Sequence, residues 1–220
     1  MEKIDYTRTY WAGFPAGVMI CIAAIVNLNC KNSVVGAFLF SLGLLTICRY
    51  HAALYTGAVG YLAETPPKNM LSYILGLASM LLGNAVGACI TAVLYAGTRM
   101  SSVIQPRIAE VVQTKVQDSW ISLFLLAVGC GVLMFIAVNS YRDKQSSPIE
   151  QALFVIFCVV VFILSGFEHS IADLSYYYLY RFIYTGANVD WFWHIFSSTI
   201  LGNAVGAIGA CATKKWILEA

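Results

Sequence analysis

A carboxylate, an imidazole and a second carboxylate lie within six residues of an apolar stretch, at Glu168, His169 and Asp173. Ionisable side chains at membrane depth are costly to bury, and they therefore mark a functional site by default. A histidine titrates near neutral pH, so His169 could donate a hydrogen bond or a proton to a small anion. The alternative is a neutral histidine satisfied by backbone carbonyls, but the neighbouring carboxylates favour a functional role.

The composition predicts that the elements positioning these residues lie in a bilayer. Of the 220 residues, 60% are hydrophobic and 11% are charged, whereas soluble domains average about 25% charged residues. At ~20 apolar residues per span, the chain has room for about six spans and for no separate soluble domain. The net charge of +2 does not indicate a nucleic-acid partner, and the polar first ten residues do not resemble a removed signal peptide.

Six apolar stretches can be marked, near 11–28, 34–63, 70–97, 119–138, 149–180 and 191–213. The second and fifth are too long for one straight span at about 1.5 Å per residue. Each also has polar side chains in its middle, such as Thr56 in the second stretch and Glu168 in the fifth. Overlong, interrupted stretches at corresponding positions of two halves predict broken helices that line a site.

The heptapeptide Leu-Gly-Asn-Ala-Val-Gly-Ala occurs at 82–88 and again at 201–207, which indicates that the two halves descend from one unit. The copies carry small residues four apart, namely Gly83 and Gly87 in the first and Gly202, Gly206 and Ala210 in the second. Such faces let helix backbones approach closely. The amides of Asn84 and Asn203 need partners in hydrocarbon, and they serve either helix packing or the fixing of a broken helix beside a pore.

These features predict an all-α polytopic membrane protein with six transmembrane helices in two inverted three-helix repeats, helices 2 and 5 being broken. The whole chain, 1–220, forms one domain, with repeat A at about 11–97, repeat B at about 119–213 and an outer connection at about 98–118. Within the connection, Ser101–Gln117 is either a short amphipathic helix or a loop. The distribution of lysine and arginine places both termini in the cytoplasm.

The sequence gives little support to an enzyme. No zinc HExxH and no serine GxSxG motif occurs, and the seven cysteines are scattered singly, so we expect apolar, buried thiols and no metal, cofactor or disulfide. The three histidines His51, His169 and His194, together with Glu168 and Asp173, could form an acid–base site only through the fold. An intramembrane enzyme therefore remains the least favoured alternative.

Four motifs, in order, resemble those of the formate/nitrite transporter family. Ser165–Asp173 resembles the fifth-span signature, Leu54–Gly57 the second-span break, and the two Gly-Asn repeats the third and sixth spans. The resemblance runs from about Phe14 to Ala212. It implies a homopentamer in a bacterial inner membrane, with a pore through each aquaporin-like protomer. The pore would pass small monovalent anions such as formate, nitrite, hydrosulfide or short carboxylates, with proton coupling through the central histidine as an open question.

The resemblance also implies roles for individual residues. Two apolar constrictions would be formed by Phe40 and Phe162 on the outer side and by Leu44, Leu54 and Tyr55 on the inner side. His169 would lie between them, facing Thr56. An apolar slit blocks a free anion, because desolvating a charge is costly, but a weak acid can cross as its neutral form. Backbone N–H groups at the breaks would hold the anion transiently.

Lys115 resembles the lysine of the family that draws anions into the outer vestibule, although by itself it could be an ordinary surface lysine. If His169 supplies the proton, His169→Asn should change the pH dependence of transport.

Some positions depart from the family pattern. Ala53 stands where the family usually has a carboxylate, and Gly131 stands where it often has an asparagine. Arg49 and His51 are not part of the family pattern. Arg49 could pair with Glu168 or extend to the membrane interface. These departures leave the substrate open, with a channel for a small neutral solute as the alternative.

Overall fold

The computed structural model describes residues 4–185 and 192–219, and these residues are almost entirely helical. The α-helices in chain order are α1 Tyr6–Asn29, α2 Ser33–Arg49, α3 Tyr55–Ala58, α4 Met70–Ala96, α5 Met100–Gln117, α6 Trp120–Arg142, α7 Pro148–Leu164, α8 Ser170–Ile183 and α9 Phe192–Glu219. Two 3₁₀ segments, Val59–Glu64 and Pro67–Asn69, connect α3 to α4. The all-α prediction is confirmed. Residue 191, where the sixth predicted stretch begins, lies outside the described residues.

Among the described residues, four helical segments are long and apolar enough to cross a membrane, namely Tyr6–Asn29, Pro67–Ala96, Trp120–Arg142 and Phe192–Leu218. The second and fifth predicted stretches are instead divided. In each, a 17-residue helix, α2 or α7, is followed by a separate helical segment that begins at Tyr55 or Ser170. The predicted breaks are therefore confirmed. The count of six crossings stays a prediction.

The two breaks share one backbone pattern. The N–H of Ala52 donates to the carbonyl of Ile47 at 3.0 Å, and the N–H of Phe167 donates to that of Phe162 at 3.0 Å. The residue before each donor is left-handed, with φ of 54° at His51 and 65° at Gly166. This geometry ends a helix and favours glycine. His51 thus occupies in the first half the place that a glycine occupies in the second, at a backbone cost of roughly 1–2 kcal/mol.

The glycine faces of the two repeats pack inside the protomer. A Cβ atom on Gly83 of α4 would lie 2.2 Å from the carbonyl oxygen of Tyr10 in α1, and one on Gly206 of α9 would lie 2.0 Å from that of Val128 in α6. The predicted close approach of helix backbones is therefore present. Since these faces are covered by α1 and α6 of the same chain, they cannot also form the contact between protomers.

The connection between the halves contains the amphipathic helix predicted as one of two possibilities. In α5, the side chains of Ile104, Ile108 and Val112 recur every four residues and are buried. The opposite face is exposed at Pro106 and Glu110. The buried stripe packs mainly against α8, and this docking brings the end of α5, with Lys115, to the second break.

All seven cysteines are free thiols, of which Cys30 and Cys89 are half-buried and the other five are buried.

Candidate functional site

Asn203 fixes the second break. Its side-chain oxygen accepts from the backbone N–H of Ser170 at 2.9 Å, and its amide donates to the carbonyls of Glu168 at 2.8 Å and Ala127 at 2.9 Å. The side chain is buried. Because it satisfies backbone groups freed by the break, Asn203 ties the end of one half-helix to its neighbour.

Asn84 does the same at the first break. It accepts from the N–H of Tyr55 at 3.0 Å and donates to the carbonyls of Ala53 and Gly13, each at 2.8 Å. Of the two roles that the sequence left open, the fixing of the broken helices is the one that the contacts show. Ala53 takes part through its backbone, so this bond does not require a carboxylate side chain there.

Close packing explains why a glycine occupies position 131. A Cβ atom at this position of α6 would lie 2.3 Å from the backbone oxygen of Asn203. A side chain would push α9 away and would displace the asparagine that fixes the break. The departure from the family pattern at Gly131 therefore accompanies close packing of α6 on α9.

Asn203→Leu should unfold at a markedly lower temperature than the parent protein. Leucine fills the same space but leaves three buried backbone groups without their partner, and each unsatisfied group costs about 1–3 kcal/mol. Thermal unfolding in detergent measures the loss. The matched control is Asn139→Leu, since Asn139 only accepts from Lys214 at the half-buried end of α6. Equal shifts in both variants would contradict the role of Asn203.

His169 joins the two broken helices. It is the N-cap of α8, where its Nδ1 accepts from the N–H of Ala172 at 3.2 Å, and its Nε2 lies 2.9 Å from Oγ1 of Thr56. Because Nδ1 is already an acceptor, the neutral imidazole carries its proton on Nε2 and donates to Thr56. A second proton would displace the cap and would face the positive end of the α8 dipole. The geometry therefore presents His169 as a neutral N–H donor.

The predicted outer constriction brings two rings together. The centroids of Phe40 and Phe162 lie 5.7 Å apart with an interplanar angle of 85°, and Phe162 lies 5.7 Å from the imidazole of His169. Phe40 is 1% exposed and Phe162 is 3% exposed. The two phenyl rings and the imidazole therefore form one buried aromatic cluster.

Two cavities lie on either side of this central region. One, which we name the outer cavity, has a volume of about 570 Å³ and reaches Lys115, Phe162 and His169. The other, the inner cavity, has a volume of about 450 Å³ and reaches Leu54 and His51. The Thr56–His169 hydrogen bond is buried in the protein core.

The residues proposed for the inner constriction are only partly brought together. Leu54 lines the inner cavity, whereas Leu44 and Tyr55 are buried without lining either cavity. All three belong to one apolar core cluster. The inner cavity also has basic side chains in its wall, Arg142 and Lys144, which the sequence did not single out for a functional role.

Lys115 is not an ordinary surface lysine. Its Nζ binds the carboxylate of Glu168 and lies 2.9 Å from Oδ1 of Asp173, and its side chain is 12% exposed. Burial alone would lower the pKa of the ammonium, but the Asp173 and Glu168 carboxylates outweigh burial and hold the pKa above its usual range. Lys115 therefore stays charged, and its charge is shared by two carboxylates.

The suggested pair between Arg49 and Glu168 is wrong. Glu168 binds Lys115, whereas Arg49 lies exposed at the end of α2, where it borders a surface cavity with Tyr50 and Tyr141. An arginine that extends to the surface was the other possibility, and the position of Arg49 fits it. The cation that pairs with Glu168 is set by the docking of α5 on α8.

Asp173 lies in the site, although the sequence alone did not place it in the pathway. The signal was present, because a carboxylate four residues after His169 lies on the same helical face, and a buried carboxylate requires a cation. What the sequence could not supply was that one lysine serves both carboxylates. Glu168, Asp173 and Lys115 are named the trio below.

The chain matches the family model for the formate/nitrite transporter over residues 2–217. It is 25% identical over 187 residues to the formate channel FocA of Haemophilus influenzae and 27% identical over 195 residues to that of Escherichia coli K12, with 76% of this chain and 64% of each relative covered. A formate-nitrite transporter of Plasmodium vivax is 26% identical over 175 residues, with 73% of this chain and 54% of the relative covered. The chain thus spans less than two thirds of the length of these relatives.

Solved structures show the same fold. A pentameric formate channel with formate bound superposes with a TM-score of 0.84 at 20% identity, over 97% of both chains. An ion channel described as belonging to the FNT family gives 0.79 at 21% identity, over 97% of this chain and 89% of the other. Since the family model covers nearly the whole chain and the fold agrees with it, the chain belongs to the formate/nitrite transporter family.

Proposed function

We propose that this integral membrane protein is a channel for small monovalent anions such as formate, nitrite, hydrosulfide or short carboxylates. The observation that carries the proposal is the position of His169. A neutral imidazole N–H donor lies beside an apolar aromatic pair and at the edge of the outer cavity. A hydrogen-bond donor beside a dry constriction suits the anion of a weak acid, which can be held as an anion and can cross as a neutral molecule.

The backbone N–H groups at the second break contribute less than the sequence suggested. The N–H of Ser170 is taken by Asn203 and that of Ala172 by His169. These donors hold the break together instead of facing a ligand. The Nε2–H of His169 is therefore the donor that we assign to the substrate, with Thr56 as its partner when no substrate is bound.

The remaining features of the proposal concern the assembly and the membrane. We propose a homopentamer of single-domain protomers, each with an inverted repeat on either side of the α5 connection, in a bacterial inner membrane with both termini in the cytoplasm. The pentameric relative supports the assembly. The glycine faces do not, because they are covered within the chain. Native mass measurement in detergent should give about five protomers.

A channel for a small neutral solute is the second candidate. The observation that favours it is the trio, because two carboxylates around one ammonium leave a negative charge at the outer cavity, and this repels anions. An intramembrane enzyme receives no such support, since the family is one of transporters.

Uptake of labelled formate into proteoliposomes, beside glycerol-driven swelling of the same vesicles, separates the two candidates. We expect formate uptake well above that of protein-free liposomes, with no increase in glycerol permeability. Swelling in glycerol without formate uptake would replace the anion channel by the neutral-solute channel. Neither activity in a correctly oriented, folded pentamer would overturn both.

A further inference from the structure

The trio carries an unbalanced charge. Nζ of Lys115 binds Glu168 and Asp173 together, so two carboxylates share one ammonium. The side chains of Glu168 and Asp173 are 7% and 3% exposed. With both carboxylates ionised, the trio has one net negative charge and is largely buried in the wall of the outer cavity.

A second observation points to a bound proton. Oδ2 of Asp173 is buried and has no hydrogen-bond partner. An ionised oxygen in that position loses its hydration without gaining a donor, which is costly. A proton bound between the two carboxylates would turn one oxygen into a donor and would make the trio neutral, as in other pairs of carboxylates that share a site.

The surroundings of Asp173 offer no other balancing charge among the described residues of the cavity wall. From α5, Arg107 and Glu110 line the same cavity with opposite charges, and Arg107 donates to the carbonyl of Cys30. The other titratable groups near the trio are the Tyr176 ring beside Lys115, the Cys130 thiol of α6 and the neutral imidazole of His169. From α9 the side chains that share a cavity with Asp173 are apolar, namely Phe192, Ile195 and Phe196.

We infer that the trio is a proton-binding site that controls admission of the anion, with Asp173 as the residue that makes the control possible. When both carboxylates are ionised, the net charge repels an anion from the outer cavity. When one proton is bound, the repulsion is removed and the anion can approach His169. The inference rests on the proposed anion channel. It adds that electrostatic repulsion at the outer cavity controls entry in a pH-dependent way, without titration of His169.

The test is Asp173→Asn, which keeps the size of the side chain and removes its charge. Formate uptake of the variant is divided by that of the parent at each pH from 5 to 8. This ratio cancels the protonation of formate itself, which the buffer sets equally for both proteins. We expect the variant to be roughly tenfold faster at pH 8, given a unit charge removed within several ångströms of the anion. At pH 5 the ratio should approach one, because the parent trio is then protonated.

Two further variants keep the result interpretable. Glu168→Gln removes the other carboxylate of the trio, while the backbone carbonyl of Glu168 still accepts from Asn203, so its ratio should follow the same pH course. Glu110→Gln is the matched control, since Glu110 lines the same cavity but is exposed and outside the trio. Its ratio should not vary with pH between 5 and 8, because Glu110 shares no proton with the trio.

The failures are distinguishable. If the parent takes up formate and the ratios for Asp173→Asn and Glu168→Gln do not change with pH, the inference is overturned and the channel stands. If the parent takes up no formate, the proposed function fails. Infrared spectra of the purified protein test the proton without transport: a protonated-carboxyl band should grow as the pH falls in the parent and be lost in the double variant. A spectrum unchanged by the two substitutions would overturn the proton-binding site.

Discussion

Replacing both Phe40 and Phe162 with alanine should wet the constriction and remove most of the discrimination between formate and larger or permanently charged anions. The two rings meet edge to face at 5.7 Å and are almost completely buried. A dry contact of this kind makes a charged solute lose its hydration, at an effective cost of several kcal/mol per ion. Since 1.4 kcal/mol corresponds to a factor of ten, leak of a strong-acid anion such as chloride should rise at least about tenfold.

The matched control for this variant comes from the same two helices. Phe38 of α2 and Phe157 of α7 are 54% and 61% exposed on the protein surface, so their double alanine variant should leave selectivity unchanged. Each buried Phe→Ala change also costs about 3–5 kcal/mol of stability. The single variant Phe162→Ala therefore tests the same point with less risk to folding. Selectivity equal to the parent in folded Phe162→Ala and in the double variant would show that the rings serve only core packing.

The broken helices could be predicted because their cause is local. An apolar stretch of ~30 residues exceeds one bilayer crossing, and polar side chains in its middle make an unbroken helix costly in lipid. Because the heptapeptide is repeated, the second and fifth stretches are counterparts, and a break predicted in one is also predicted in the other. Asn84 and Asn203 do occupy equivalent places, each with one backbone donor and two backbone acceptors.

The trio could not be predicted, because its cause is not local. Glu168 and Asp173 belong to the fifth stretch and Lys115 to the connection between the halves, and the three meet only through the packing of α5 on α8. The sequence instead suggested that Arg49 either pairs with Glu168 or extends to the membrane interface. The resemblance to the family identified Lys115 as important but assigned it to the attraction of anions, and the two bound carboxylates oppose such attraction until a proton is present.

The protonation state of His169 could not be predicted from the sequence either. A free histidine titrates near pH 6.5, and the residue types alone allow it to be a proton donor. The structure places its Nδ1 on the first turn of α8, where a backbone N–H occupies the lone pair. The role of His51 could not be found either, since only its left-handed backbone shows that it takes the place of a glycine at the other break.

His169→Phe should lower formate uptake roughly 10- to 100-fold at every pH from 5 to 8, at matched protein in liposomes. The phenyl ring removes the Nε2–H donor, and a hydrogen bond to a charged group contributes about 1.5–3 kcal/mol. It also removes the N-cap of α8, which costs about 0.5–2 kcal/mol of stability, so folding should survive. With no donor in the constriction, the preference for weak-acid anions should fall as well.

His169→Asn is the variant that separates a neutral donor from a titrating one. Asparagine is a good N-cap, and its amide can still donate to the substrate, but it cannot be protonated. Because Nδ1 of the imidazole accepts from the N–H of Ala172, we infer a neutral ring, and we expect partial uptake with the pH profile of the parent. This differs from the altered pH dependence that the sequence alone suggested. His194→Asn serves as the control, since the ring of His194 bonds to the carbonyl of Asp118 and lies outside the site, and it should behave as the parent does.

The pH profiles of two substitutions therefore locate the proton. A profile that is kept in His169→Asn and flattened in Asp173→Asn places proton binding on the trio, ahead of the constriction. A profile that is flattened in His169→Asn and kept in Asp173→Asn places it on the imidazole, and would mean that the cap to Ala172 breaks during transport. The second outcome would contradict the neutral donor proposed here, because an imidazolium cannot keep the Nδ1 acceptor that the resting structure uses.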